Sequence, residues 1–114
     1  MAQDFYHQAA QLCHLLSHPV RLRILDELRR GEACVCHLQA VLGRPQAYVS
    51  QQLRVLREME VIDSYKDGLF VYYRLADPHI ERILEEMLGP AGEAEHLPAC
   101  ACPRCQEEEA VLPS

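Results

Sequence analysis

The residues best suited to chemistry in this chain are cysteines, and they fall into two groups. Cys34 and Cys36 flank a single valine, and three further thiols follow near the end of the sequence at Cys100, Cys102 and Cys105. Thiolates select soft acceptors, and three of them form the ligand set that a pyramidal As(III) centre takes. Cd(II) and Pb(II) also accept such sets, and Zn(II) is a further possibility. The spacing therefore predicts a thiol site for a soft metal or metalloid.

Cys34 and Cys36 are predicted to lie in the first turn of a short helix that opens at Glu32. On a regular helix, side chains two residues apart point in different directions, since only neighbours three or four residues apart share a face. One ion would then bind both sulfurs only if this turn distorted, and we expect that distortion to act as a switch. A helix N-terminus also favours the thiolate, which is the metal-binding form. The alternative is that either thiol packs as a small hydrophobic side chain.

The cysteine count and the first residues bear on the cellular compartment. Asp4, His7 and Gln11 interrupt the apolar positions of the first twenty residues, so we expect no signal peptide. No apolar run approaches the roughly 20 residues of a membrane span, and we expect a cytoplasmic protein without membrane contact. Six cysteines there indicate metal or redox chemistry rather than a disulfide framework. The sixth, Cys13, lies on an apolar helical stripe, where we expect it to be packed; an auxiliary ligand is the alternative.

Hydrophobic periodicity predicts five helices and one β-hairpin. Two β-branched and aromatic runs, 61–66 and 69–75, flank Asp67-Gly68, which predicts a hairpin. The third and fourth helices are joined by a short turn that contains Gly43, as in a helix-turn-helix, and the hairpin behind them is a wing. The fold class is therefore mainly α with a β-hairpin wing, a winged helix-turn-helix of four helices, two strands and a last helix. The helical stripes lie within residues 4–16, 20–28, 35–42, 46–57 and 80–88.

The fourth predicted helix separates polar from apolar side chains. Val49, Leu53 and Leu56 form its apolar face, and the other face carries amide, hydroxyl and guanidinium groups suited to reading DNA. An ordinary solvated helix face is the alternative. We expect base contacts, for which glutamine suits adenine, from Gln46, Tyr48, Ser50, Gln51 and Gln52, and phosphate contacts from Arg44, Arg54 and, in the wing, Lys66.

The net charge of −6 is unevenly distributed along the chain. Residues 75–114 hold nine acidic side chains against two arginines, whereas residues 44–74 are mildly basic, as salt-sensitive contact with phosphates requires. We therefore divide the chain into a DNA-binding and dimerisation domain, 1–90, and an acidic cysteine-containing tail, 91–114. The tail thiols are expected to bind by themselves or to join Cys34 and Cys36 of the same or a partner chain. Incidental thiols are the alternative, and His79 and His96 are weaker candidate ligands.

Three segments, in this order and spacing, resemble the ArsR/SmtB family of winged-helix metal-sensing repressors. They are residues 16–25, 34–38 and 49–58, and the resemblance covers roughly residues 9–88. It implies a homodimer, formed by the first and last helices, that binds double-stranded operator DNA and represses an operon until metal binds. Two positions depart from the family pattern, since His37 and Gln52 stand where the family more often has Asp and His.

Two other functions would use the same thiols. A redox or persulfide sensor of the same fold would pair Cys34 or Cys36 with another thiol, and a thiol-rich metal chaperone would bind metal without binding DNA. An enzyme is not expected, because the sequence shows no Ser/His/Asp or Cys/His arrangement and no phosphate loop.

Overall fold

The structure, a computed structural model, describes residues 2–92, and its elements confirm the winged-helix prediction. The predicted tail site at Cys100, Cys102 and Cys105, together with His96, lies outside the described residues. In chain order the elements are α1 (Ala2–Leu16), α2 (Pro19–Arg30), β1 (Ala33–Cys34), α3 (Val35–Leu42), α4 (Gln46–Glu58), β2 (Ile62–Asp67), β3 (Phe70–Leu75) and α5 (Pro78–Leu88).

Local sequence signals set several helix ends. Gly43 closes α3 in the left-handed conformation, with φ of 64°, which a residue without a Cβ adopts readily. At the start of α5, the side chain of Asp77 accepts a hydrogen bond of 2.9 Å from the backbone N–H of His79, and Pro78 occupies the first helical position. These caps fix the helix-turn-helix and the helix that follows the wing.

The wing is a three-stranded antiparallel sheet in the order β1-β3-β2, and its first strand was not predicted. Ala33 pairs with Tyr73 and Cys34 with Tyr72, so the segment before α3 is attached to the hairpin. Asp67 pairs with Phe70, so the two-residue loop is Gly68-Leu69, one residue later than the predicted Asp67-Gly68 turn. Gly68 has φ of 63° at the first loop position, where hairpin turns favour glycine.

One hydrophobic core joins the helices to the base of the wing. The apolar face predicted for α4 is confirmed, since Val49, Leu53 and Leu56 are fully buried. Because these side chains anchor α4, its opposite face is turned away from the core. The other fully buried side chains of this core are Ile24, Leu25, Leu38, Val61, Ile80 and Leu84.

The apolar residues of α1 and α5 extend beyond this core. Phe5 of α1 is 72% exposed and Met87 of α5 is 53% exposed. Cys13 is also exposed, so its predicted packed position is wrong. The reason is that only the last turn of α1, at Leu15 and Leu16, is buried in the core. Within residues 2–92 no helix is both long enough and apolar enough to cross a membrane.

Candidate functional site

Cys34 and Cys36 lie at the junction between β1 and α3. Cys34 has an extended backbone, with φ of −86° and ψ of 168°, and caps the helix, whereas Cys36 is inside its first turn. This strand-to-helix turn brings the two Sγ atoms to 2.8 Å from one another. The predicted helix opening at Glu32 is therefore wrong, and the two side chains do not diverge as that opening implies. Because the helix begins at Val35, the sulfurs already face one another.

The wall of this sulfur pair is aromatic and comes from the wing. Cys34 is 3% exposed and Tyr72 is 1% exposed, and the two form a buried cluster against which Cys36, Tyr65 and Phe70 pack. Cys36 is only partly buried, so it lies at the more solvent-exposed side of the pair. Sequence reasoning missed Tyr72, since nothing local to residue 72 indicates that it faces residue 34.

Two opposing effects act on the charge of the sulfur pair, since burial among aromatic side chains disfavours a thiolate and the start of α3 favours one. The first turn of α3 carries no acidic side chain, and the partial positive charge of a helix N-terminus stabilises a thiolate placed there. The nearby carboxylate of Glu32 accepts a hydrogen bond from the hydroxyl of Tyr65. These features suit the site to thiolate chemistry and to a cationic or electron-poor ligand.

The described residues supply two sulfurs to a metal and no complete ligand set. No group of three or more His, Cys, Asp or Glu side chains within them is arranged to hold an ion. His37, which follows Cys36, is turned into the core, where its Nε2 lies 3.0 Å from Oε1 of Glu27. The two sulfurs fit a soft ion as a chelating pair.

Glu27 is a buried carboxylate that holds α3 against α2. Its Oε1 contacts His37, and its Oε2 accepts a hydrogen bond of 3.3 Å from Nη1 of Arg30. Glu27→Ala leaves the buried imidazole without this acceptor, so we expect the free energy of unfolding to fall by about 1–3 kcal/mol. Urea unfolding measures this change. Asp63→Ala, which removes the exposed Asp63–Arg74 pair, is the control and should have the smaller effect; equal effects would contradict the role of Glu27.

Most of the predicted DNA-contacting side chains are accessible to solvent. Arg44 lies over the ring of Tyr48, with its Cζ 5.4 Å from the ring centroid, so these two side chains form one unit at the start of α4. Gln46, Gln51, Arg54, Arg44 and Lys66 are exposed, and Tyr48 and Ser50 are half-buried.

Gln52 is the exception, and its predicted base contact is wrong. It is 8% exposed, and its Oε1 accepts a hydrogen bond of 2.8 Å from Nε of Arg21 in α2. Gln52 lies three residues after Val49 and four before Leu56, so helical geometry places it on the buried face. Its amide joins α4 to α2 instead of facing outward.

The wing carries two accessible cations with different surroundings. Lys66 is exposed near the end of β2, next to the hairpin loop. Arg74 donates a hydrogen bond of 2.6 Å from Nε to Asp63, and this bond raises the pKa of its guanidinium above the ordinary value. Its Cζ also lies 5.3 Å from the ring centroid of Tyr65. Arg74 therefore orders the wing, and Lys66 is the better candidate for a phosphate.

Both the sequence and the fold of this chain match those of known proteins. Residues 18–64 match the family described as "Bacterial regulatory protein, arsR family". The chain is 37% identical over 97 residues to a "Transcriptional repressor SmtB homolog" of Synechocystis sp., which spans 85% of this chain and 69% of that protein. It is 37% identical over 90 residues to the "HTH-type transcriptional regulator NmtR" of Mycobacterium tuberculosis, with coverage of 79% and 72%.

The fold agrees with these relatives. The structure of NolR from Sinorhizobium fredii superposes with a TM-score of 0.70 at 29% identity, and the match covers 79% of this chain and 93% of that chain. A winged helix-turn-helix whose α4 presents polar side chains is the architecture of a DNA-binding regulator. The chain is therefore a member of the ArsR family, a transcriptional repressor rather than an enzyme.

Proposed function

We propose that this repressor binds operator DNA as a homodimer and releases it when the thiolates of Cys34 and Cys36 bind As(III). Cd(II) and Pb(II) are the next candidates, because they are soft acceptors of the same kind. The observation that carries the proposal is the 2.8 Å separation of the two Sγ atoms at the start of α3. Two cysteine sulfurs that the fold holds close together can, when reduced, chelate an ion at a lower entropic cost than two that must first be brought together.

The three tail cysteines are proposed to complete the ligand set. An As(III) centre takes three thiolates, and the described residues bring only Cys34 and Cys36 together. Cys100, Cys102 and Cys105 supply further thiols of the same type within the same chain. A tetrahedral structural Zn(II) site requires four ligands, which the pair and two of the tail thiols would also supply, so the inducer titration distinguishes As(III) from Zn(II).

A titration of DNA binding against several inducers tests this function. Fluorescence anisotropy of a labelled fragment of the protein's own promoter would follow binding while arsenite, Cd(II), Pb(II), Zn(II) or peroxide is added. We expect arsenite to release DNA at the lowest concentration. Retention of DNA in the presence of every metal would overturn the proposal, and release by peroxide alone would favour the alternative described next.

The same sulfur pair supports a thiol redox sensor as the second candidate. In that reaction the two thiols lose two electrons and two protons to a peroxide, which is reduced to water and the corresponding alcohol or to two waters, and a disulfide forms. The closeness of the Cys34 and Cys36 sulfurs is the observation that favours this candidate.

A homodimer is proposed to form through α1 and α5, because both present apolar side chains to solvent. Phe5 is 72% exposed, and Met87 and Leu88 are 53% and 49% exposed. Exposed apolar surface of this kind is typical of a protein–protein interface. We expect a dimer at micromolar concentration in sedimentation velocity, and a monomer after Phe5→Glu with Met87→Glu. Leu69→Glu is the matched control, since Leu69 is 92% exposed but lies at the wing tip. A monomeric parent protein would refute this interface.

A further inference from the structure

We propose that the wing transmits inducer binding from Cys34 and Cys36 to the DNA. This inference rests on the proposed function of the two thiols as the inducer site, and it names the part of the molecule that responds. It differs from the distorted helix that sequence spacing predicts, because the sulfurs face one another without any distortion of α3.

The first link is the backbone of β1. Cys34 is the ladder partner of Tyr72, and Ala33 is the ladder partner of Tyr73, so the residue that carries one sulfur is also a residue of the wing sheet. Cys34 and Tyr72 are both almost completely buried. Close-packed interiors transmit displacement, since few voids are available to absorb it. A shift of Cys34 to accommodate a ligand therefore displaces β3.

The second link runs through aromatic side chains to β2. The ring of Tyr65 stacks on Tyr72, with 5.6 Å between centroids and an interplanar angle of 29°. The hydroxyl of Tyr65 donates to Glu32, which immediately precedes β1. The guanidinium of Arg74 lies over the ring of Tyr65, with its Cζ 5.3 Å from the ring centroid. Both strands of the hairpin are thus tied to the segment that carries the sulfur pair.

The recognition helix is tied to the sulfurs less directly than the wing, since α3, which carries Cys36, packs against α4 through the main core. The buried cluster that contains Cys34 is made of Tyr72 with Cys36, Tyr65 and Phe70 packed against it, and it includes no residue of α4. The buried apolar side chains of α4 belong to the main core, which Ala33, Val35 and Leu38 of the sulfur-bearing segment also join. The wing therefore has the direct contacts, and its far end carries Lys66, a proposed phosphate ligand.

A ligand shifts a conformational equilibrium only through different affinity for the two conformations. Here the differential contact is proposed to be the position of Cys34 relative to Tyr72, which sets the angle of the hairpin against the DNA. Coupling of the usual size changes DNA affinity by about 5–150-fold. Loss of the proposed phosphate contact of Lys66 in the wing of each protomer is expected to lower DNA affinity by an amount within that range.

Hydrogen exchange on the full-length protein tests which element responds. The chain in which Cys100, Cys102 and Cys105 are replaced by serine isolates the sulfur pair, and its Cys34→Ser/Cys36→Ser derivative is the control. With arsenite as the probe, we expect the exchange rates of amides in residues 62–75 to change, while those in residues 46–58 stay constant. Changes confined to residues 46–58 would overturn the inference.

A single-atom deletion in the wing tests the link directly. Tyr65→Phe removes the hydroxyl that reaches Glu32 and keeps the stacked ring, and Tyr73→Phe is the matched control because Tyr73 packs against the main core. Arsenite affinity is read from the ultraviolet absorbance of sulfur–arsenic bonds, and release from anisotropy. We expect Tyr65→Phe to keep arsenite affinity and to reduce the inducer-dependent drop in DNA affinity at least threefold, with Tyr73→Phe like the parent.

The outcomes separate this inference from the proposed function. Absence of the sulfur–arsenic absorbance in the parent protein would overturn both. Arsenite binding with normal release in Tyr65→Phe, and constant exchange in residues 62–75, would overturn the wing inference alone and leave the sulfur pair as the sensor.

Discussion

Replacement of both Cys34 and Cys36 by serine is expected to abolish arsenite-driven release of DNA. In the parent protein, release corresponds to a drop in DNA affinity of roughly 5–150-fold, or a coupling of about 1–3 kcal/mol. The double variant should show no drop, because an inducer held only by the tail has no different contact with the two conformations. Serine is close to cysteine in size, so folding and DNA binding without inducer should survive. Circular dichroism and anisotropy titrations measure both properties.

The tail provides the matched comparison for this prediction. Replacement of Cys100, Cys102 and Cys105 by serine removes the three tail thiols and keeps the pair at the start of α3. We expect this variant to need more arsenite for release, because the ligand set then lacks a protein thiolate, but still to release DNA. If the tail variant loses release completely while Cys34→Ser/Cys36→Ser keeps it, the tail is the sensor and the pair is structural.

The parts of the fold that sequence predicted are those with local causes. Gly43 ends a helix because it adopts a left-handed conformation, and Asp77 with Pro78 starts one by capping and by a fixed φ. The apolar face of α4 follows from 3.6-residue periodicity alone. Each of these signals lies within a few residues of the feature that it specifies, so one sequence is sufficient to read it.

The geometry of the thiol site has a non-local cause. Cys34 is extended because residues 33–34 pair with residues 72–73, and two residues are too few to show the alternation that identifies a strand. The helix start was consequently placed at Glu32 instead of Val35, and the two sulfurs were expected to diverge. A boundary error of three residues thus reverses the conclusion about chelation, since it decides whether the thiols share one helix.

The errors at Gln52 and Cys13 have different physical origins. Gln52 shares a helical face with Val49 and Leu56, so its spacing predicts burial, whereas its amide suggests an exposed DNA-reading side chain. Its partner, Arg21, lies in another helix and compensates the buried amide by a hydrogen bond. Cys13 has the spacing of a core residue, yet α1 contributes only its last turn to the core of one chain.

The recognition surface gives the second large expected effect, at Gln51. Gln51→Ala should relax sequence preference, at a cost of about 1–3 kcal/mol at the cognate base pair, because a glutamine amide makes two hydrogen bonds with adenine in the major groove. Competition of cognate and singly substituted operators in anisotropy measures the preference. Lys66→Ala should instead weaken all sequences alike and flatten the salt dependence by about one phosphate.

Gln52→Ala distinguishes a reading residue from a structural one on the same helix. Gln52 is buried and accepts from Arg21, so its loss should lower the urea midpoint and leave the order of preferred sequences unchanged. Gln51, one residue earlier, is exposed. Its loss should therefore leave the urea midpoint unchanged and alter the order of preferred sequences. Neighbouring residues of a helix differ by about 100° in direction, and the two glutamines therefore test the orientation of α4. A change of base preference with Gln52→Ala and none with Gln51→Ala would mean that α4 meets DNA with a different face.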